Sequence, residues 1–158
     1  MIALEPAEQR VADAAAALGL TITIARMDQS TRTAEEAAAA CGTTVGQIVK
    51  SLVFRGQASG RPLLLLVSGA NRVDEAAVAD RIGEAIVRPD ARFVRDVTGF
   101  AIGGVPPLGH AQKLTTYLDE ALLAFDRVFA AAGTPRSIFA VAPSELVEAS
   151  GATVIPVG

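Results

Sequence analysis

Residues 98–110 read Thr-Gly-Phe-Ala-Ile-Gly-Gly-Val-Pro-Pro-Leu-Gly-His, four glycines and two prolines in thirteen positions, ending on the only histidine of the chain. Glycine admits positive φ and lets the backbone approach other groups closely, whereas proline removes both freedom and an N–H donor. Neither a helix nor a central strand can run through such a stretch. It reads either as a Gly/Pro-rich connection between strands or as a rigid loop whose N–H groups face a carbonyl oxygen or an anion.

The rest of the chain can support such a loop. With 158 residues, about half of them apolar and only 20% charged, it can bury a core of its own without disulfides. Cys41 stands alone, so no internal disulfide and no cysteine metal set is available, which fits a reducing cytoplasm. Apolar runs fall short of the roughly 20 residues of a membrane span, and Glu5 and Glu8 stand where a secretory signal would be basic. A net charge of −3 argues against coating DNA or any nucleic acid non-specifically, but leaves room for a local basic cluster that takes one RNA end. Of the 14 cationic residues only positions 50 and 113 are lysine, the rest being arginine. A compact ammonium does a different job from a guanidinium fork.

Local signals divide the chain into alternating elements. Pro6 and Gly19 bracket an Ala-rich helix over residues 6–18. Thr21–Ala25 reads as a strand, Thr33-Ala-Glu-Glu36 as a capping box opening a helix that stops at Gly42, and Thr44-Val-Gly-Gln47 as a single turn. Val49–Arg55 and Pro62–Ser68 are spaced as a hairpin. Asp74 and Asp90 are placed to cap helices ending near Gly83 and Val97, with Ile86–Arg88 a short strand between them. Beyond the glycine loop come a strand at Leu114–Leu118, a helical turn at Asp119–Phe125, and a strand pair at Arg127–Ala131 and Ser137–Val141. A helix from Pro143 to Ala149 and a strand at Thr153–Val157 follow. Helices and strands mix without a steady βαβ rhythm. The expectation is an α+β fold, one domain over residues 1–158 with a curved, mixed and largely antiparallel sheet flanked by helices.

Few residues can carry chemistry. On a strand at 50–55, Lys50 shares a face with Leu52 and Phe54, so it either meets an anion at a pocket mouth or snorkels to solvent. His110 has no serine or cysteine nucleophile motif to serve, and one Cys with one His completes no metal set. Asp119 and Glu120 are adjacent, which points their side chains apart and suggests a solvated first helical turn. No dinucleotide or phosphate-binding fingerprint sits between a strand and a helix. What remains is a binding or hydrolase-like pocket built from a donor-rich loop and one lysine. Ester hydrolysis is open to such a pocket through oxyanion stabilisation, with the substrate supplying its own proton relay.

Four blocks together narrow this: Gln47-Ile-Val-Lys-Ser-Leu-Val-Phe54, Ser68-Gly-Ala-Asn-Arg-Val-Asp74, the loop Thr98–His110, and Ala132-Gly-Thr-Pro-Arg136. Their order and spacing, from about Thr31 to the C-terminus, resemble the YbaK/ProX family, relatives of the editing insertion of bacterial prolyl-tRNA synthetase. The resemblance implies an α+β editing domain, cytoplasmic and without cofactor or metal. Its substrate would be mischarged tRNA (tRNA-Pro carrying Ala, Cys or another small residue), with an aminoacyl-tRNA synthetase as a candidate partner. It implies that Lys50 lies beside the phosphate of the 3′-terminal aminoacyl-adenosine. Gly103 and Gly104 would offer backbone N–H groups to the ester, with Pro106, Pro107, Gly109 and His110 lining the aminoacyl group. A ribose hydroxyl and a bound water would carry the proton transfers. The alternative is a non-catalytic aminoacyl-nucleotide-binding or regulatory module of the same fold.

Overall fold

A computed structural model describes residues 2–158. Helix α1 (Pro6–Ala17) is followed by a two-residue strand β1 (Ala25–Arg26), helix α2 (Ala34–Cys41) and a 3₁₀ turn at Val45–Gln47. Strands β2 (Val49–Gly56) and β3 (Pro62–Ser68) form the central hairpin, followed by α3 (Glu75–Ile82), β4 (Ile86–Val87) and α4 (Ala91–Thr98). After the glycine loop come β5 (Thr115–Asp119), a 3₁₀ turn at Glu120–Ala124, β6 (Val128–Ala131) and β7 (Ser137–Val141). Helix α5 (Pro143–Ser150) and strand β8 (Thr153–Ile155) complete the order.

The expected caps form. Thr33 and Glu36 exchange side-chain-to-backbone hydrogen bonds of 3.1 Å each, and Gly42 closes α2 in the left-handed region. Asp74 accepts from the Ala77 N–H and Asp90 from the Phe93 N–H, starting α3 and α4 where they were expected. Two elements differ. Within Thr21–Ala25 only Ala25 joins the ladder, because Leu20 and Ile24 turn into the core and β7 is paired at Ala25 and Arg26 alone. The last strand ends at Ile155 because Pro156 has no N–H to give a ladder.

The strands divide into two sheets, ordered β4-β2-β3-β5-β8 and β1-β7-β6. The pairs are antiparallel except β3 with β5 and β5 with β8, so the sheet system is mixed and largely antiparallel, as expected. The single curved sheet of the sequence reading is thus split in two, joined by one parallel bridge between Ile48 and Phe129. Strand β3 is buried on both faces. Leu64 and Leu66 pack with α1, α4 and the smaller sheet, while Leu63, Leu65 and Val67 pack with Val78 of α3 and with Ile155 and Val157. Burying both faces fixes the register of β3, since a one-residue slip would exchange every side chain between two filled cores.

Helix α1 is docked through a buried charge. The Glu8 carboxylate is fully buried; it accepts hydrogen bonds from the Arg26 guanidinium, the Ser137 hydroxyl and the Glu5 N–H. Burial alone would raise its pKa, but these donors outweigh it and hold the carboxyl at about 2, below the ordinary 4.5. A depressed carboxyl contributes stability above its unfolded value and loses it as pH falls through its folded value. Unfolding free energy should therefore drop between about pH 4.5 and about pH 2, and Glu8→Gln should flatten that part of the profile in chemical denaturation. Glu8→Ala, which takes the carboxylate partner from both Arg26 and Ser137, should cost about 2 kcal/mol at neutral pH.

Candidate active-site cleft

The two sheets part beside β2 and leave a cleft of about 610 Å³, within the roughly 300–1,000 Å³ usual for small-ligand sites. Its wall runs along Val49–Leu52 of β2, where that strand makes no ladder on its outer side. Strand β4 pairs β2 only at Arg55 and Gly56. A free strand edge presents backbone donors and acceptors to whatever lies against it. Phe129–Ala131 and Ile138 of the smaller sheet face it, and Ile102 and Gly103 of the glycine loop close one end.

Lys50 stands at this wall, half-buried. Its Nζ donates to the Asn71 carbonyl at 2.5 Å, and its other two N–H groups have no carboxylate in ion-pair contact among the described residues. Burial lowers its pKa, Glu35 opposes that, and Arg72 adds to it. The Asn71 carbonyl is in turn held from behind. Asn71 Nδ2 donates to Asp119 Oδ2 at 2.9 Å, the Ser68 N–H donates to the same oxygen at 3.1 Å, and the Ala121 N–H donates to Oδ1 at 3.0 Å. Asp119 is only 2% exposed. The solvated turn expected at Asp119-Glu120 therefore holds for exposed Glu120 alone. Asp119 is drawn inward by three N–H groups from two different segments.

The titratable side chains on the wall are Lys50, Arg32, Arg72 and Glu35, so the cleft is positive in a chain of net charge −3. Among the described residues neither Arg32 nor Arg72 has an ion-pair partner, which leaves both guanidinium groups available to an anion. Arg32, Asn71 and Arg72 did not stand out as single residues in the sequence, although Asn71 and Arg72 lie within the Ser68–Asp74 block. Ser51, also on the wall, carries a buried hydroxyl with no hydrogen-bond partner.

The glycine loop divides into a part that meets the cleft and a part that supports it. Gly103 is at the wall with φ +97°, and Arg32 lies against it: a Cβ there would come within 3.0–3.5 Å of the Arg32 side chain. Its N–H has no backbone partner among the described residues. Gly104 lies just inside. Its N–H donates to the Ala101 carbonyl at 3.1 Å, and a Cβ would sit 2.9 Å from the Thr134 backbone. Pro106 and Pro107 are buried and Gly109 is half-buried; none of the three lines the cleft. His110 is also off the wall. Its ring Nε2–H donates to the Pro106 carbonyl at 2.7 Å, and burial lowers its pKa against the opposing effect of that bond, which favours the neutral ring. The structure thus brings Lys50 and Gly103 together around one cleft and places Gly104, Pro106, Pro107, Gly109 and His110 behind it.

A family profile described as the aminoacyl-tRNA editing domain matches residues 28–149. The uncharacterized protein YwhH of Bacillus subtilis is 33% identical over 127 residues, which cover 80% of each chain. EbsC of Enterococcus faecalis, described as a candidate Cys-tRNA(Pro)/Cys-tRNA(Cys) deacylase, is 27% identical over 72% of this chain and 70% of its own. A crystal structure described as a candidate trans-editing enzyme for prolyl-tRNA synthetase superposes with a TM-score of 0.91 at 46% identity, covering 98% of both chains.

The two adjacent glycines should respond differently to a methyl group. In Gly104→Ala the added carbon meets backbone that cannot move aside, and a loss of about 2 kcal/mol or more is expected in denaturant unfolding. In Gly103→Ala the neighbour is a flexible arginine side chain, so the positive φ dominates and the loss should stay near 1 kcal/mol.

Proposed function

The chain belongs to the aminoacyl-tRNA editing domain family, and on that premise we propose that it is a trans-editing deacylase. It hydrolyses the ester between a wrongly attached amino acid and the 3′-terminal adenosine of a tRNA, with tRNA-Pro carrying alanine, cysteine or another small residue as the first candidates. The observation that carries this reading is the meeting of Lys50, Arg32, Arg72 and the Gly103 backbone around one cleft, with no ion-pair partner for either arginine and no backbone partner for the Gly103 N–H among the described residues.

Each group has a role that its surroundings favour. Lys50, anchored at one N–H by Asn71, gives its remaining donors to the phosphate of the terminal adenosine. Arg32 and Arg72 add charge at the rim for the neighbouring phosphates and raise the local concentration of a polyanionic substrate. The Gly103 N–H, which has no backbone partner among the described residues, would donate to the ester carbonyl. As water adds to the carbonyl carbon, charge gathers on that oxygen, and one fixed N–H donor stabilises it by about 3 kcal/mol. Gly104 and the proline-rich segment hold Gly103 in register. The side chains on the wall include no cysteine, histidine or aspartate, and the one carboxylate there, Glu35, interacts with the Lys50 charge. A ribose hydroxyl of the substrate accepts the proton from the attacking water and returns one to the leaving oxygen, a relay brought into place by binding alone. The domain extends over the whole chain, α1 included.

The test is deacylation of Ala-, Cys- and Ser-tRNA-Pro by wild type and by Lys50→Ala. Hydrolysis of at least one substrate is expected, falling by about tenfold or more in the variant. Lys50→Arg should not restore it, because a guanidinium fork fails to replace a point charge held at one carbonyl. Tight binding of every charged tRNA without hydrolysis would instead identify a binding module.

A further inference from the structure

We propose that α1 is the clamp of the glycine loop and that Arg10 is a positioning residue for the reaction. This rests on the deacylase reading for its chemistry, but the clamp itself is a matter of geometry. Helix α1 lies outside residues 28–149, the part matched by the editing-domain profile, yet it touches both ends of the loop that brings Gly103 to the cleft.

At the first end, Arg10 Nη2 donates to the Gly99 carbonyl at 2.7 Å, and the guanidinium carbon lies 4.3 Å from the centroid of the Phe100 ring. Gly99 is the residue that ends α4, so the cation also sits at the negative end of that helix. Phe100 is 2% exposed and packs in the larger core, and its N–H and carbonyl are both engaged by the buried Thr98 hydroxyl. At the second end, Gly109 lies against the same turn of α1. A Cβ at Gly109 would come 3.2 Å from the Ala14 Cβ and 3.5 Å from the Arg10 carbonyl. The loop base is closed by the Ala111 N–H to Thr98 and the Gln112 N–H to Val97.

One helix therefore fixes both ends of the span from Gly99 to Gly109, and Gly103 lies between them at the cleft. Phe100, Val105 and Leu108 anchor this span in the core, whereas Ala101 and Ile102 between them are exposed, so the position of the Gly103 N–H follows from where the flanking residues are held. Arg10 is the exposed member of this contact, and its removal leaves the core residues of α1, Val11 and Ala15, in place. That separates positioning from folding.

The experiment combines deacylation kinetics with amide hydrogen exchange on Arg10→Ala, Arg10→Lys and the control Gln9→Ala, whose side chain faces Asp13 on α1. For Arg10→Ala the expected result is kcat lowered about tenfold or more. KM should stay within about twofold, because cleft cations are untouched. Exchange at the hydrogen-bonded amides of Phe100 and Gly104 should quicken while the thermal midpoint moves by less than about 4 °C. Arg10→Lys, which retains the donor to Gly99, should recover part of kcat, and Gln9→Ala should match wild type. Wild-type kcat and wild-type exchange in Arg10→Ala would overturn the clamp, as would a change confined to KM. If the wild type deacylates nothing, the deacylase reading fails by itself, and the exchange rates, which need no substrate, still decide whether Arg10 holds the loop.

Discussion

The cleft depends on one buried carboxylate. Asp119 ends β5, and its two oxygens collect N–H groups from the end of β3, from the turn that follows it, and from the 3₁₀ turn after β5. A carboxylate left unpaired at that depth would be costly, whereas one accepting three N–H groups has its oxygens satisfied by hydrogen bonds. Because those donors belong to separate segments, satisfying one charge fixes all of them at once. The Ser68–Asn71 turn is then held in the one conformation that aims the Asn71 carbonyl at Lys50. The lysine is thereby ordered without a carboxylate partner, so its charge is held in place and not neutralised. A direct Lys–Asp pair would order it equally well, but would cancel the positive field that the cleft presents.

The same economy governs the glycine loop. Gly104 is pressed against the Thr134 backbone, His110 is tied to Pro106, and Arg10 holds Gly99. The residues that look most chemical in the loop are those the fold uses as fasteners. What reaches the cleft is the backbone of Gly103, a donor with no side chain to block a ligand. For an ester whose own neighbouring hydroxyl can relay protons, a fixed N–H and a fixed cation are a sufficient set. In the proposed deacylation they would act on charge that develops as the ester is attacked and would need no proton transfer to the protein.

Much of this was legible from sequence where the cause is local. The capping box at Thr33–Glu36, the Asp74 and Asp90 caps, and the hairpin at Val49–Ser68 each follow from contacts within a few residues, and each formed as expected. Lys50 could be placed on the correct face of β2 by alternation, and its position at a pocket mouth was one of two open outcomes. The rest depends on partners far along the chain. The parallel pairing of β3 with β5 and of β5 with β8, and the division into two sheets, are marked in the sequence only by the unbroken apolar run Leu63–Val67, which signals burial on both faces and not strand direction. The neighbours of Asp119 in sequence point to a solvated turn, but Ser68 and Asn71, some fifty residues earlier, draw it inward. Arg32 and Arg72 looked like two of many arginines until the fold placed them beside Lys50.

Helix α1 shows why such long-range contacts bear on function as well as on stability. Its buried Glu8 ties it to β1 and to Ser137 of β7, and Ser137 in turn bonds the hydroxyl of Thr134, the residue against which Gly104 packs. Its Arg10 and Ala14 meet the two ends of the glycine loop. The helix thus reaches the Gly103–Gly104 segment by two routes, one through the smaller sheet and one through the loop ends. Either route alone would leave the loop a rotation about its other support. Together they define its position in the way two hinges on one side define a closed door, and the free Gly103 N–H inherits that definition although it touches neither Glu8 nor Arg10.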